Sequence, residues 1–338
     1  MSHLGMPYTL KSLTLRNRIV MSPMCQYSVD AEDGIPNDWH FVHYTSRAIG
    51  GTGLIIIEMT DVDPDGRISN RDLGIWSDEH VPAFRRLIDQ LHKYGAKVAI
   101  QVAHAGRKAT DANPPVGPSS IAFDGNYKTP RELTTEEVWK LVDQFADGAR
   151  RAVQAGVDTI ELHGAHGYLI HQFMSPNANK RADEFGQDYS KFGVEVIKAV
   201  KKVIPPDMPL LMRVSAIEYA PGGYDLDHSL EVFRKFRDAG VDLFDVSSGG
   251  DGVGGRPLVP SPGYQVPLAR AVKEVLNMPV MSVGVLGDAE LAERVVADGD
   301  AELVAIGRPM LRNPYWAVDA LRTLDGKAEV VKQYERGY

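Results

Sequence analysis

Eight short apolar runs, separated by helical patterns, are the feature that most restricts the fold of this chain. In order they are RIVMSP (18–23), GLIIIEM (53–59), KVAIQVAH (97–104), TIELHG (159–164), PLLMRVS (209–215), LFDVSSG (243–249), PVMSVG (279–284) and LVAIGR (303–308). They are rich in Val, Ile and Leu and do not alternate with polar residues, as expected for parallel strands that are buried on both faces. Strands that alternate with helices in this way predict βαβ units and a parallel sheet.

The segments between these runs have the pattern of amphipathic helices. Residues 134–156 begin with Thr134 and Glu137 in capping-box spacing, carry apolar residues on one side and end at Gly156. The ranges 77–95 and 228–240 follow the same plan. Eight strands with their helices in 338 residues predict an α/β fold, a single (β/α)8 TIM barrel over residues 1–338. We expect the chain before residue 18 to close the N-terminal end of the barrel.

An open doubly wound sheet is the main alternative fold. It requires a glycine-rich phosphate loop after an early strand, directly followed by a helix. The first run instead ends in SPMCQYS. A GxGxxG match exists at Gly250, Gly252 and Gly255, but the proline-rich RPLVPSPGYQVP follows it. The barrel is therefore the predicted fold, and the glycine-rich match is interpreted as a loop.

Charge and cysteine content exclude several functional classes. The formal net charge of −8 argues against a surface for nucleic acid or anionic membranes. No apolar run approaches the roughly 20 residues of a membrane-spanning helix, and the first residues lack the features of a signal peptide. The single cysteine, Cys25, cannot form an internal disulfide and is typical of a reducing compartment. We therefore expect a soluble cytoplasmic protein with no nucleic-acid or membrane partner.

Polar residues at the ends of the predicted strands define a candidate site, because barrel enzymes place catalysis at the C-terminal ends of their strands. Two imidazoles in i, i+3 spacing can hydrogen-bond an oxygen that gains negative charge, and a nearby tyrosine can supply a proton. Glycines after the seventh and eighth strands suit a phosphate. In chain order the candidates are Cys25, Tyr27, Gln101, His104, His163, His166, Tyr168, Arg213, Gly284, Gly307 and Arg308.

Two of these assignments leave alternatives open. His163 and His166 also have the spacing of metal ligands, although the other strand ends do not offer the further ligands that a metallohydrolase barrel needs. Arg213 lies in the apolar run LLMRVS and requires an acceptor. The acceptor is either an ion-pair partner such as Glu58 or Glu161, or an electron-rich cofactor ring shared with Gln101.

Six segments together resemble one family, the old yellow enzymes, which are flavin-dependent ene-reductases, and in particular their thermophilic-like branch. The segments are LKSLTLRNRIVMSPMCQYS, GRISNRDLGIWSDEH, IQVAHAGRKA, ELHGAHGYLIHQFMSPNANKRADEFG, GRPMLRNPYW and QYERGY, and they extend from about residue 8 to the end. The resemblance implies a non-covalent FMN on the C-terminal face of the barrel, with NADPH or NADH as the hydride donor. The implied substrates are α,β-unsaturated carbonyl compounds, quinones or nitro compounds.

The resemblance also implies a role for individual residues. His163 and His166 would hold the ligand oxygen, Tyr168 would donate a proton, and Tyr27 would contact the ligand. Cys25 would tune the redox potential of the flavin and contact the substrate rather than act as a nucleophile. The implied FMN contacts are Ser22, Pro23, Met24, Cys25, Met59, Gln101 and Arg213 around the ring, and Gly284, Gly307 and Arg308 at the phosphate.

Arg336, in the C-terminal QYERGY, would reach into the site of a neighbouring subunit. The resemblance therefore implies a homodimer or homotetramer with a C-terminal tail used in oligomerisation. Two other hypotheses are a metal-dependent hydrolase on the same barrel and a non-catalytic flavoprotein that senses redox state through Cys25.

Overall fold

The computed structural model describes residues 1–251 and 260–338. Its strands, in chain order, are β1 (Tyr8–Leu10), β2 (Leu13–Leu15), β3 (Ile19–Met21), β4 (Leu54–Asp61), β5 (Leu73–Gly74), β6 (Lys97–Ala103), β7 (Val116–Gly117), β8 (Arg131–Glu132), β9 (Thr159–Gly164), β10 (Leu210–Ser215), β11 (Leu243–Ser247), β12 (Val280–Val283) and β13 (Leu303–Ile306). Seven of the eight predicted runs contain one of these strands, and the run 53–59 overlaps β4, which extends two residues further to Asp61. All eight strands are therefore confirmed, with the end of β4 corrected.

Eight parallel strands in the described ranges close into a barrel. Their order is β3, β4, β6, β9, β10, β11, β12, β13 and again β3. The closure passes through Val20, which is paired with Leu54 of β4 on one side and with Ala305 of β13 on the other. The (β/α)8 prediction is confirmed, and the open doubly wound alternative is wrong. No helix in the described ranges combines the length and apolar character needed to cross a membrane.

Helices cover the outside of the barrel. They are α1 (Asp38–Ile49), α2 (Val81–His92), α3 (Thr135–Ala155), α4 (Leu169–Met174), α5 (Glu184–Gln187), α6 (Lys191–Val203), α7 (Leu226–Ala239), α8 (Val266–Leu276), α9 (Ala289–Ala297), α10 (Arg308–Arg312) and α11 (Trp316–Asp325). The capping box of α3 forms as predicted, because the Thr134 side chain accepts from the Glu137 N–H and the Glu137 side chain accepts from the Thr134 N–H. Gly156 ends α3 in the left-handed conformation, with φ of 99°.

The predicted helix 77–95 is corrected at both ends. Its first residues, Asp78–His80, form a 3-10 turn, and α2 itself begins at Val81 and ends at His92. Pro82 in the first turn of α2 lacks an N–H and suits that position, but it cannot continue a helix that starts earlier.

Successive residues of the barrel strands point alternately into the barrel and toward the surrounding helices. Leu54 and Ile56 of β4 belong to an apolar cluster inside the barrel, whereas Ile55 and Ile57 belong to the larger cluster between strands and helices. The interior cluster also receives Leu13 and Leu15 from the antiparallel hairpin of β1 and β2. The segment before residue 18 therefore closes the N-terminal end of the barrel, as expected.

Truncation of Leu15 tests the hairpin as the closure of the barrel. Leu15 is fully buried, so we expect Leu15→Ala to lower the free energy of unfolding by about 2–5 kcal/mol through lost apolar burial and a residual cavity. Thr14→Ala changes the exposed side of the same strand and should alter that free energy by less than about 0.5 kcal/mol. Urea unfolding followed by circular dichroism measures both, and equal effects would contradict the role of the hairpin.

Candidate active site

A layer of four polar side chains lies across the barrel above its apolar interior. Gln101, Glu161, Arg213 and Asp245 come from the neighbouring strands β6, β9, β10 and β11, and all are buried. The Gln101 amide donates to Glu161 Oε1 at 2.8 Å, and Arg213 Nε lies 3.1 Å from Asp245 Oδ2. The expected ion-pair partner of Arg213 is corrected: it is Asp245 of the adjacent strand rather than Glu58 or Glu161.

Burial controls the protonation of this layer. It raises the pKa of Glu161 well above its usual range, and the neighbouring Asp245 raises it further, whereas Arg213 lowers it. Burial also raises the pKa of Asp245, whereas Arg213 lowers it. The Arg213 guanidinium therefore opposes the effect of burial at both carboxyl groups and favours negative charge beside it.

The turn after β9 presents two histidines and a tyrosine. His166 and Gly167 both have left-handed backbones, with φ of 59° and 74°. The His166 N–H donates to Ser215 Oγ at 3.1 Å, and the Gly167 N–H donates to His171 Nδ1 at 3.0 Å. A Cβ on Gly167 would lie 2.5 Å from the carbonyl oxygen of Gly250, so this position requires glycine.

The rings of this turn form one cluster. The His163 ring centroid lies 5.5 Å from that of His166 and 4.7 Å from that of Tyr168. His163 Nδ1 accepts the Ala165 N–H at 3.3 Å, which assigns the proton of the neutral ring to Nε2. His166 Nε2 lies 2.7 Å from Ser247 Oγ. Burial, followed by Arg213, holds the pKa of both imidazoles well below the usual range, so both are neutral hydrogen-bonding groups at neutral pH.

Cys25 and Tyr168 pack against the same small apolar cluster, which includes Met59 and Ala103. Burial raises the pKa of the Tyr168 phenol well above its usual range, and Cys25 raises it further, so the phenol keeps its proton. Burial also raises the pKa of the Cys25 thiol well above its usual range, followed by the carboxylates of Asp72, Glu58 and Asp61. Both groups are therefore protonated at neutral pH.

Tyr27 lies at the outer end of the same segment. It is 45% exposed, and it follows Cys25 by two positions. Burial of its remaining surface, together with Cys25, raises the pKa of the Tyr27 phenol above its usual range. Tyr27 is thus a neutral donor at the mouth of the site.

The proposed phosphate end combines two distant parts of the chain. A Cβ placed on Gly307 would meet only Met24 Sδ at 3.6 Å and Ser22 Cβ at 3.9 Å, so this glycine faces the segment after β3 across open space. Pro23 lies half-buried between Ser22 and Met24. Arg308 begins α10 with an exposed side chain. Gly284, with φ of 123°, lies against Gln265, whose Nε2 would be 2.7 Å from an added Cβ.

The donor set suits an anionic, electron-rich cofactor such as FMN. The terminal nitrogens of Arg213 have no hydrogen-bond acceptor among the described residues, which leaves them available to a ring carbonyl. The Gly307–Arg308 corner supplies backbone N–H groups and a cation at the opposite end, which suits a phosphate. The residues present therefore fit FMN.

Two sequence candidates, His104 and Arg336, do not join this constellation. His104 is buried, and its Nδ1 accepts the Gly106 N–H at 2.9 Å, so it serves the local backbone. Arg336 is exposed on a C-terminal 3-10 segment, Lys332–Gly337. Tyr334 of this segment packs on Tyr315, and Tyr338 after it packs on Arg322 of the same chain. Gly252 and Gly255 of the glycine-rich match lie outside the described residues.

Sequence reasoning missed several groups that support the site. Lys108 Nζ donates to the His166 carbonyl at 2.8 Å and lies 4.9 Å from the Tyr168 ring centroid. Ser247 contacts His166, and Ser248 donates to Gln265 Oε1 at 2.5 Å. Lys108 could have been found from the sequence, because it belongs to the AHAGRKA segment. The roles of Ser247, Ser248 and Gln265 could not, because they depend on distances across the barrel.

Possible metal ligands gather beside the site rather than at its two histidines. The ligand atoms of His171, Glu218 and Asp251 lie within 4.8 Å of one another. They already have partners: His171 Nε2 lies 3.0 Å from Glu218 Oε1, and Asp251 forms a buried ion pair with Arg107 at 2.5 Å. Neither His163 nor His166 belongs to this group, so among the described residues the alternative of a metal site at those histidines has no carboxylate ligands to support it.

Comparisons with known proteins agree with this geometry. A model of the NADH:flavin oxidoreductase / NADH oxidase family matches residues 3–325. An NADPH dehydrogenase of Listeria innocua is 49% identical over 341 residues, which cover all of both chains. The structure of morphinone reductase in complex with tetrahydroNAD is 26% identical with a TM-score of 0.82, covering 99% of this chain and 96% of that one. The chain of a 2-naphthoyl-CoA reductase complex is 24% identical and shares the fold with a TM-score of 0.89. The match covers 96% of this chain and 52% of the reductase chain.

Gly167→Ala tests whether the left-handed turn presents the two histidines. The added Cβ would collide with the Gly250 carbonyl at a positive φ, so we expect a loss of at least about 1 kcal/mol of stability. Because the two histidines are expected to hold a ligand oxygen, we also expect a much weaker affinity for a phenol. Gly125→Ala adds a Cβ where nothing lies within 4 Å and should leave both quantities unchanged. Thermal unfolding and a phenol titration measure them, and unchanged phenol affinity in Gly167→Ala would contradict this role.

Proposed function

The chain belongs to the NADH:flavin oxidoreductase / NADH oxidase family, the old yellow enzymes, and we propose that it uses FMN and NAD(P)H to reduce the C=C bond of α,β-unsaturated carbonyl compounds. FMN is the cofactor of this family. The observation that carries the proposal is the His163–Tyr168 ring contact of 4.7 Å, which places a neutral imidazole donor beside a protonated phenol.

The cofactor would be held from both ends. Arg213, Gln101, Met24, Cys25 and Met59 would contact the ring system. Ser22 and Pro23 would contribute further contacts of the same segment, with Gly284, Gly307 and Arg308 at the phosphate. Bound FMN would supply the redox chemistry, taking hydride from the reduced nicotinamide and returning it to the β-carbon of the alkene.

The histidines would bind and polarise the substrate oxygen. Because His163 Nδ1 accepts the Ala165 N–H, the ring proton is on Nε2, and this N–H would donate to the substrate carbonyl. His166 is fixed by Ser247 on one nitrogen and by the left-handed turn, so it meets the ligand with little loss of conformational entropy. Because both imidazoles are neutral, they stabilise developing negative charge by hydrogen bonding without transferring a full proton.

Tyr168 would deliver the proton to the α-carbon. Its raised pKa keeps the phenol protonated at neutral pH, as a general acid requires. Tyr27 is exposed at the mouth and would contact the bound ligand. The nicotinamide donor is proposed to use the same pocket, in keeping with the neighbour solved with tetrahydroNAD and the relative named NADPH dehydrogenase.

The two alternative functions have less support. A redox-sensing thiol needs a lowered pKa, whereas burial and three nearby carboxylates raise that of Cys25. A metallohydrolase needs free ligand atoms around His163 and His166, but the carboxylates that gather nearby are paired with His171 and Arg107 instead.

We further propose a homodimer or homotetramer in which Arg336 completes the site of a neighbouring subunit, and a cytoplasmic location. The support for the shared site is that Arg336 is exposed and lies apart from the site of its own chain. Small-molecule enones, quinones and nitro compounds remain the proposed substrates.

Spectral titration tests the main proposal. We expect the purified protein to be yellow, to bleach anaerobically with NADPH and to regain its colour when cyclohexenone is added. A colourless protein that takes up no added FMN would contradict the proposal, and bleaching without recovery would limit it to the first half-reaction.

Tyr168→Phe tests the proton donor. We expect reoxidation by cyclohexenone to slow by about 10²-fold or more, because the α-carbon loses its acid, while reduction by NADPH changes little. Tyr94→Phe, at a partly buried tyrosine outside the site, is the matched control and should leave both rates unchanged. Stopped-flow absorbance measures the two half-reactions separately, and equal slowing of both would indicate a structural effect.

Deletion of residues 334–338 tests the shared site. Loss of Arg336 should raise the Kd for phenolic ligands several-fold at an unchanged flavin content. Arg336→Ala should reproduce the effect, while Arg294→Ala, at an exposed cation in the last turn of α9, should not. Unchanged ligand affinity and steady-state kinetics would exclude a role for the tail in the site.

A further inference from the structure

The segment from Met24 to Ser28, here named the flavin-edge segment, is held by side chains instead of backbone pairing. It has no regular secondary structure, and Tyr27 within it has a positive φ of 51°. Among the described residues, no backbone carbonyl accepts an N–H of this segment. Its placement therefore depends on the side chains that contact it.

Glu58 of β4 makes the central contact. The Gln26 N–H donates to Glu58 Oε1 at 2.8 Å, and the Tyr44 hydroxyl donates to Glu58 Oε2 at 2.6 Å. The Glu58 N–H returns a bond to the Tyr44 hydroxyl at 2.9 Å. Glu58 is 1% exposed, so one buried carboxylate joins the flavin-edge segment to α1.

The other contacts to this segment are lateral. Gln26 Nε2 donates to the Met24 carbonyl at 2.8 Å, and Trp39 Nε1 donates to Gln26 Oε1 at 3.2 Å. Asn37 Nδ2 donates to the Ser28 carbonyl at 2.6 Å. These bonds support the segment at its ends and side, whereas Glu58 binds the N–H immediately after Cys25.

We propose that Glu58 is a positioning residue, which fixes the backbone that presents Cys25 and Tyr27 to the cofactor and changes that presentation when it exchanges a proton with water. The inference rests on the proposed function only in taking this segment as the edge of the flavin site. When Glu58 is protonated, one of its oxygens becomes a donor, so the Gln26 N–H and the Tyr44 hydroxyl can no longer both be accepted as before. The negative charge beside the Cys25 thiol is lost at the same time.

The surrounding groups place this exchange near neutral pH. Burial raises the pKa of Glu58 to about 7, and the bonds from Tyr44 and Gln26 oppose the rise. The groups that face it are Tyr44 and His40 from α1, Cys25 from the flavin-edge segment and Asp72 from the loop after β4. His40 Nε2 lies 3.9 Å away, but burial lowers its pKa to about 4, so it is neutral and supplies no counter-charge.

The single cysteine allows a direct test on the FMN-loaded protein without turnover. The alkylation rate of Cys25 by iodoacetamide and the visible flavin spectrum are measured from pH 5.5 to 8.5. In the wild type we expect a step near pH 7 in the flavin spectrum. The logarithm of the alkylation rate should rise with pH more slowly across this interval than below or above it, because ionisation of Glu58 disfavours the thiolate.

Glu58→Gln should abolish both features, and its thiol should react roughly 3- to 10-fold faster than the wild-type thiol at pH 8.5, since one unit of thiol pKa is a factor of ten in thiolate. Tyr44→Phe should keep the step but move it to higher pH, because the carboxylate loses one hydrogen bond. Asp158→Asn is the matched control: this largely buried carboxylate accepts the Val98 N–H at 2.9 Å, outside the site, and its loss should leave both profiles as in the wild type.

Identical profiles in the wild type and Glu58→Gln, including flat profiles in both, would overturn the inference. Should Glu58→Gln not fold, an unshifted step in Tyr44→Phe would overturn it equally. Neither outcome depends on whether enones are reduced, so failure here is distinguishable from failure of the proposed function.

Discussion

The single positive charge of Arg213, buried in a barrel strand, is the constraint on which the arrangement of the barrel interior depends. A guanidinium at this depth requires an opposite charge and hydrogen-bond acceptors. Asp245 Oδ2 lies 3.1 Å from Arg213 Nε, and Glu161 on the other neighbouring strand accepts from the Gln101 amide. This layer lies between the apolar cluster inside the barrel, which the hairpin of β1 and β2 closes, and the candidate site at the C-terminal ends of the strands. It also leaves the terminal nitrogens of Arg213 for a ligand.

Above this layer, the electrostatics favour hydrogen-bond donation over nucleophilic attack. Burial keeps His163 and His166 neutral and keeps the Tyr168 phenol and the Cys25 thiol protonated. The acidic groups Asp72, Glu58 and Asp61 raise the pKa of the thiol further and reinforce this state when they are ionised. A site of this kind can hold an oxygen, stabilise its developing charge and give it or its neighbour a proton. These are the steps that a reduction assisted by a bound flavin requires of the protein.

The two segments that present these groups are irregular, and each depends on a buried acceptor from another element. The His166–Gly167 turn is held by Ser215 of β10 and His171 of α4, and the flavin-edge segment is held by Glu58 of β4. Loop backbones have N–H groups that regular pairing does not satisfy, so buried side chains must accept them. The rigidity of the site therefore comes from residues that would not themselves touch a ligand.

The sequence by itself determined the eight strands, the capped helix α3 and the ring cluster of His163, His166 and Tyr168. Local patterns suffice for these, because apolar runs, capping spacing and i, i+3 proximity are properties of neighbouring residues. Only the tertiary structure decided that Arg213 pairs with Asp245, that Ser247 holds His166, and that Glu58 anchors the segment beside Cys25. These partners lie on different elements of the fold: Arg213 and Asp245 are 32 positions apart, as are Gln26 and Glu58, and His166 and Ser247 are 81 apart. Their contact depends on strand register and closure of the barrel, which no local pattern encodes.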